Sequence, residues 1–275
     1  MARQEVPLRG HVEAWAPPVP GIREVFHARM AGFAYPPHVH DSWGILIVDE
    51  GAMHYELDGR PCQAAGNTVS LLPPGIVHDG RPAPGLTGFR ERELSLDHGV
   101  LPAELASMAA DRTSIADPAL RTALSRLHDC LTDHPEHLDA QIRLTWIADR
   151  IRRHLMPPSG QRATTCQARR EPAIAARFRE LLDEHLTEPL NLEWAATMLS
   201  RSASHLIRSF THEFGVSPYA YVVGRRIDTA RALLLHGARP ADVALRVGFY
   251  DQAHFTRHFK KHTSTTPARF ARQQP

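Results

Sequence analysis

Val243-Ala244-Leu245-Arg246-Val247-Gly248-Phe249-Tyr250-Asp251-Gln252-Ala253-His254-Phe255-Thr256-Arg257-His258-Phe259-Lys260-Lys261 is the stretch on which the reading of this chain turns. Val243, Ala244 and Val247 have the spacing of one buried face of a short helix. Gly248-Phe249-Tyr250 breaks that helix, and Asp251 stands where an N-cap carboxylate accepts from the first free N–H groups of the next one. Phe255 and Phe259, four residues apart, point the second helix inward. Gln252, Ala253, Thr256, Arg257 and Lys260 are left on its outer side. Two short helices across a tight turn form a helix-turn-helix. A second helix that carries hydrogen-bonding and cationic side chains opposite its core anchors can enter a major groove. Patterning alone fits the solvated face of an ordinary helical bundle equally well.

The same design is written once before. Leu192, Ala195, Ala196 and Leu199 give a short helix whose small central residues allow close crossing, and Ser202 caps the next helix, which ends at Gly215. Leu206 and Phe210 are its inward residues; Ser204, Ile207 and Arg208 stay outside. Between the two units, Ser217-Pro218 opens a long helix with the stripe Val223, Ile227, Ala230 and Leu234. Arg208 and Arg257 occupy matching places, each two residues before a buried phenylalanine. Gln252 suits adenine and either arginine suits guanine, while Lys260, Lys261 and Arg272 suit phosphates.

Arg225-Arg226-Ile227, Val243-Ala244, Gly248-Phe249, Asp251-Gln252, His254-Phe255, Arg257-His258-Phe259-Lys260-Lys261 and Thr266-Pro267 together resemble the signature of the AraC/XylS family of transcription regulators. Leu192, Ala195, Ser204-His205-Leu206, Arg208, Phe210 and Gly215-Val216-Ser217-Pro218 resemble that family's first unit. The resemblance spans roughly residues 174–272. It implies two recognition helices about 34 Å apart in successive major grooves, with Ser204, Ile207 and Arg208, then Gln252, Ala253, Thr256 and Arg257, as base readers. Ile207 and Ala253 are apolar, which restricts them to a thymine methyl at most.

Upstream, short β-type runs at residues 43–49, 52–57 and 68–72 alternate with turns at Glu50-Gly51, Asp58-Gly59 and Pro73-Pro74-Gly75, the mark of a small barrel or sandwich. Gly32 through His38 and His40 fits G-x5-H-x-H, and Pro73-Pro74-Gly75-Ile76-Val77-His78 contains P-x-G-x2-H. Both resemble cupin motifs and the sensor domain of many AraC-type regulators. In metal-binding cupins three histidines and a glutamate share one ion; here the glutamate positions hold Gly44 and Ile45. His38, His40 and His78 are therefore weak metal candidates, and no metal or other cofactor is assigned. His38, His40, Trp43, Tyr55 and His78 are candidate contacts for an organic effector.

Two helical stripes follow, Leu120-Leu124-Leu127-Leu131 and Leu144-Ile147-Ile151-Leu155. They resemble the helix pair that dimerises such sensors, and they could equally pack on their own barrel. The expected fold is multi-domain α+β. Its parts are a flexible arm (1–21), a cupin-like sensor barrel (22–100), a helical dimerisation segment (101–156), a linker (157–171) and an all-α double helix-turn-helix domain (172–275).

Bulk properties agree. The chain has 275 residues, 43% apolar and 23% charged, the balance of a globular protein. Residues 171–275 carry 14 Lys and Arg against 10 Asp and Glu, whereas residues 1–170 carry 18 against 20, so the basic excess lies in the helical part. No apolar run is long enough to span a membrane and no secretory signal precedes the barrel. Cys62, Cys130 and Cys166 form neither a disulfide framework nor a zinc pattern, so a reducing cytoplasm is expected. The expected function is a non-enzymatic, sequence-specific transcription factor, homodimeric, bound to double-stranded DNA and controlled by a small-molecule effector, with RNA polymerase as a further candidate partner. Two rivals stand beside it: a ligand-independent regulator whose barrel only dimerises, and a metal-dependent cupin enzyme with a DNA-binding tail.

Overall fold

A computed structural model of the chain describes residues 11–132, 137–156 and 173–272. The expected linker at 157–171 and residues 1–10 of the expected arm lie outside the described residues.

Among the described residues the N-terminal domain is an antiparallel barrel of nine strands: β1 (His11–Trp15), β2 (Ile22–Ala31), β3 (Tyr35–His38), β4 (Trp43–Leu57), β5 (Arg60–Ala65), β6 (Val69–Leu72), β7 (His78–Pro82), β8 (Gly88–Leu96) and β9 (Ser114–Ile115). Their order is β1-β2-β8-β4-β6-β9, with β5 and β7 also on β4 and β3 on β7. Three sequence expectations need correction. Residues 11–21 are not an arm: β1 pairs with β2 from His11↔Arg29 to Trp15↔Val25, because Val12 and Ala14 alternate into the core. The barrel also extends past residue 100, since β9 pairs with β6. Glu50-Gly51 is not a turn between strands but a bulge within the unbroken β4, where the register with β8 shifts between Val48 and Glu50. Gly51, at φ 73°, is required there, because a Cβ would lie 2.6 Å from the Gly88 carbonyl oxygen. Asp58-Gly59 is the hairpin turn expected, both residues at positive φ between the paired Leu57 and Arg60.

Strand β4 is buried on both faces. Leu46 and Val48 point to the barrel interior, whereas Trp43, Ile45 and Ile47 point to the outer layer. That layer holds α1 (Ala106–Asp111), α2 (Pro118–Thr132) and α3 (His137–Leu155). The stripes of α2 and α3 are fully used against the barrel of their own chain, which corrects the assignment of those stripes to dimerisation.

The C-terminal domain comprises α4 (Ala173–Glu184), α5 (Leu192–Met198), α6 (Ala203–Phe214), α7 (Pro218–Leu235), α8 (Pro240–Arg246), α9 (Gln252–Thr263) and α10 (Pro267–Phe270). The caps fall where the sequence places them. Ser202 accepts from His205 N, Ser217 from Ala220 N, Asp251 from His254 N and Thr266 from Arg269 N, each satisfying an N–H the helix cannot. At the second turn Gly248 packs so tightly on Thr187 that a Cβ would meet its carbonyl oxygen at 2.5 Å. Helix α7, 18 residues and thus about 27 Å long, joins the two units.

This domain is seated on the barrel. Val39 is buried among the residues of the first helical unit, and a Cβ added to Gly224 of α7 would lie 3.5 Å from His38 Cβ and Val39 N, so the helix packs closely on this strand end. The barrel interior and the core of the second unit form one continuous apolar cluster.

Candidate DNA-binding surface and barrel cavity

Helices α6 and α9 each turn an aromatic anchor inward and a polar face outward. In α6, Leu206 and Phe210 are fully buried; in α9, Phe255 and Phe259 are. Ser204, Arg208, Gln252, Ala253, Arg257 and Lys260 are exposed, and Ile207 and Thr256 are half-buried. Arg208 and Arg257 make no salt bridge or side-chain hydrogen bond among the described residues, so neither guanidinium is engaged by the protein itself. Tyr250, assigned only to the turn on sequence grounds, is 88% exposed at the mouth of the second helix-turn-helix.

The second feature is a cavity in the barrel where α7 and α9 close it. His38 and His78 are cross-strand partners of β3 and β7, and His40 follows two residues on, so the three rings cluster with centroids 4.4, 4.7 and 6.2 Å apart. All three line the cavity. Trp43 and Tyr55 do not: Trp43 faces the outer layer, and Tyr55 is packed in the interior away from the lining. Sequence reasoning missed Tyr35, Glu91, Glu93, Arg231 and His262, which also line it. Glu91 and Glu93 were open to discovery, since they share the strand parity of Phe89, an inward residue.

The cupin-type metal set is not reproduced. Glu93 Oε1 sits 2.7 Å from where a Cβ on Gly44 would be, so the space for a side chain at that position is taken by a carboxylate from the neighbouring strand. Among the described residues no three His, Cys, Asp or Glu side chains are placed to hold a metal ion.

Burial dominates the electrostatics. Desolvation holds His38, His40 and His128 well below the usual imidazole value and pushes His27 and His78 down to about 4. Burial likewise raises Glu24 and pushes Glu91 up to about 8 and Glu93 to about 7. Each buried histidine is neutral when folded but takes a proton near pH 6.5 when unfolded, so its stabilisation is present above 6.5 and lost as pH falls below it. The three glutamates act in the opposite sense, since the folded state retains their protons and loses stability as pH rises from 4.5 through their raised values. Five histidines outweigh three carboxyls on the acid side. The melting temperature is therefore expected to peak near pH 6.5, fall steeply toward pH 4 and decline gently toward pH 8 in a calorimetric series. His27 and His78 alone account for about 3 kcal/mol each at the acid limit. A flat profile between pH 4 and 6 would contradict this placement of the histidines.

Comparison with known proteins adds to this geometry. Residues 21–148 match the model of the AraC-like ligand binding domain, and residues 195–273 match that of a helix-turn-helix domain. The HTH-type transcriptional regulator YbfI of Bacillus subtilis is 30% identical over 235 residues, covering 80% of this chain and 81% of that protein. The HTH-type transcriptional activator RhaS of Escherichia coli is 25% identical over 245 residues, covering 85% and 86%. The crystal structure of ToxT from Vibrio cholerae superposes with a TM-score of 0.55 over 96% of this chain and 97% of its own, at 9% identity, which speaks for the shared fold alone. No helix among the described residues is long and apolar enough to cross a membrane. With matches to an AraC-like ligand binding domain and a helix-turn-helix domain, two capped helix-turn-helix units, and a regulator 30% identical over about four-fifths of both chains, the chain belongs to the AraC family of DNA-binding transcription regulators.

Proposed function

We propose that this regulator reads a two-part DNA site with α6 and α9, and that a small molecule in the barrel cavity controls how the DNA-binding domain is held. The observation that carries the reading is the shared wall of the cavity: the barrel supplies most of it, and α7 and α9 of the DNA-binding domain supply the rest. A ligand there touches both domains at once and so has a differential affinity for their docked and undocked arrangements, which is what coupling requires. Ser204, Arg208, Gln252, Thr256 and Arg257 are the proposed base-reading residues, Ile207 and Ala253 contribute apolar contact, and Lys260 meets phosphate. One solved ToxT structure, with a TM-score of 0.52 over 95% of this chain and 94% of its own, is of the unsaturated fatty acid bound protein. That a protein of this fold binds an organic ligand supports the general reading; carboxyls in the present cavity argue against the same ligand here. The role is regulatory, not enzymatic, and places the protein with DNA in the cytoplasm, with RNA polymerase as a partner at its promoters.

Genome-wide mapping of bound DNA tests the proposal. Discrete sites with paired elements about one helical turn apart are expected; uniform occupancy without such elements would overturn it.

Pairing of two copies fits the outer face of α3, where Leu138, Ile142 and Trp146 recur every fourth residue and are 69%, 60% and 43% exposed. Ile142→Glu is expected to convert a dimer to a monomer in analytical ultracentrifugation. It should also weaken binding to a doubled site by about 100-fold or more, through lost effective concentration, and leave a single site unaffected. A dimer that survives the change assigns pairing elsewhere.

A further inference from the structure

Arg231 belongs to α7, yet its half-buried side chain reaches into the mouth of the barrel. It donates to Glu24 of β2 and lies 5.0 Å over the ring of Phe26 and 5.7 Å over that of Phe270. The wall that receives it accepts hydrogen bonds and offers almost none. His38, His40 and His78 each hold Nδ1 against a main-chain carbonyl, of Pro36 at 2.8 Å, Ser42 at 2.8 Å and Ile76 at 3.0 Å. A carbonyl can only accept, so the proton is on Nδ1 and each Nε2 presents a lone pair. The Nε2 of His40, a residue 8% exposed, is buried without a partner among the described residues. Glu91 and Glu93 add carboxyls, and the Tyr35 hydroxyl is already donated to Glu91 at 2.6 Å. His262 also holds Nδ1 on a carbonyl, that of His258 at 2.8 Å, and is an acceptor too. Beside Arg231 the cavity retains about 40 Å³, space for about one water molecule.

We infer that this cavity takes a small organic cation, an amine or a guanidine, and that Arg231 is the internal occupant such a ligand displaces. The inference rests on reading the barrel as the effector site, and adds the chemistry of the ligand and the way it acts. A wall of carboxyls, lone pairs and one aromatic face calls for donors and positive charge. Without a bound cation, burial keeps the Glu91 and Glu93 carboxyls protonated. A bound cation supplies the countercharge that lets them ionise, whereas an anion would find only Arg231 to pair with and a neutral polyol would leave them unionised. Nothing larger than a water or so fits while Arg231 is seated, so ligand and arginine exclude one another. The polar contacts then left at that rim are the Arg225–Asp41 pair at 3.7 Å and the Asp41 N–H donated to Asp228 Oδ2 at 3.2 Å, both exposed on the Asp41 side and weak, so docking rests on the apolar seat of Val39 and α7. A bound cation shifts the population toward the undocked arrangement, and docking in turn weakens cation binding.

Calorimetric titration of the full-length protein with agmatine and putrescine tests this. Both are expected to bind, at least tenfold more tightly to Arg231→Met, which removes the competitor, and no more tightly to Arg231→Lys, which retains a cation. Circular dichroism checks that both variants are folded. Glu93→Gln placed in the Arg231→Met background should weaken agmatine at least tenfold. Small-angle scattering should show a larger radius of gyration for the wild type with agmatine than without. Equal affinity of wild type and Arg231→Met would refute displacement. Hexanoate, glucose and zinc chloride are the contrasting probes: binding of one of these and not of the amines overturns the cation class while leaving an effector site in the barrel. If no amine binds either form, the inference is lost. The effector reading itself falls only if a broad metabolite panel also leaves the melting temperature unchanged.

Discussion

Phe259→Ala is expected to remove about 3–5 kcal/mol of stability, the range for deleting a fully buried aromatic ring, and with it DNA binding by the second unit. Phe259 has no exposed surface and touches Phe255 and Phe270, with ring centroids at 5.4 and 5.2 Å. Phe270 in turn underlies the Arg231 guanidinium. The hole left by the ring cannot be filled without moving α9 or α10, so the substitution loosens both the recognition helix and the seat of the domain on the barrel. Phe210→Ala is the control in the first unit, where the ring is equally buried against Phe178, Phe214 and Tyr221. Thermal denaturation of the two variants should give losses of the same size. Phe259→Leu, which keeps most of the volume, should cost under about 1.5 kcal/mol. A Phe259→Ala protein as stable as the wild type would mean that the second unit is not built around this ring.

What the sequence disclosed and what it hid divide along a physical line. Local chemistry was legible. Ser202, Ser217, Asp251 and Thr266 cap helices because an N-cap is a short-range preference, and Phe210 and Phe259 are buried because 3.6-residue periodicity fixes which face they take. The Leu120 and Leu144 stripes predicted α2 and α3 nearly to the residue, but an apolar stripe does not name its partner, and the partner is the chain's own barrel. Gly51 read as a turn because a glycine bulge and a tight hairpin turn both use positive φ; only the pairing of β4 with β8 on both sides of it tells them apart. The histidines of the cavity were visible in motifs, whereas Glu24, Glu91, Glu93 and Arg231 were not. Two of these carboxylates sit on one strand and the third on its neighbour, and the arginine arrives from more than a hundred residues away. Such a site is a product of docking between domains, which no local pattern encodes.

Arg208→Ala and Arg257→Ala are each expected to weaken specific DNA binding by about 1–3 kcal/mol, the worth of a bidentate guanine contact. Their combination should cost the sum, about 2–6 kcal/mol, because residues on separate helices with no shared partner act independently. The two arginines meet that condition. They lie on α6 and α9, in the two units that α7 joins, and among the described residues neither is engaged by another side chain. Fluorescence anisotropy against a bound site and against randomised DNA measures both the loss and its meaning. If the arginines read bases, each single variant loses preference at one element of the site and keeps it at the other, and binding to randomised DNA changes little. If they meet phosphates, all sequences weaken equally and the slope of log K against log salt becomes shallower by about one unit for each arginine removed. The two outcomes are mutually exclusive for a given residue, and the first requires the outward faces of α6 and α9 to lie in the groove. Gln252→Ala provides the internal check: it carries no charge, so any loss it causes cannot come from counterion release.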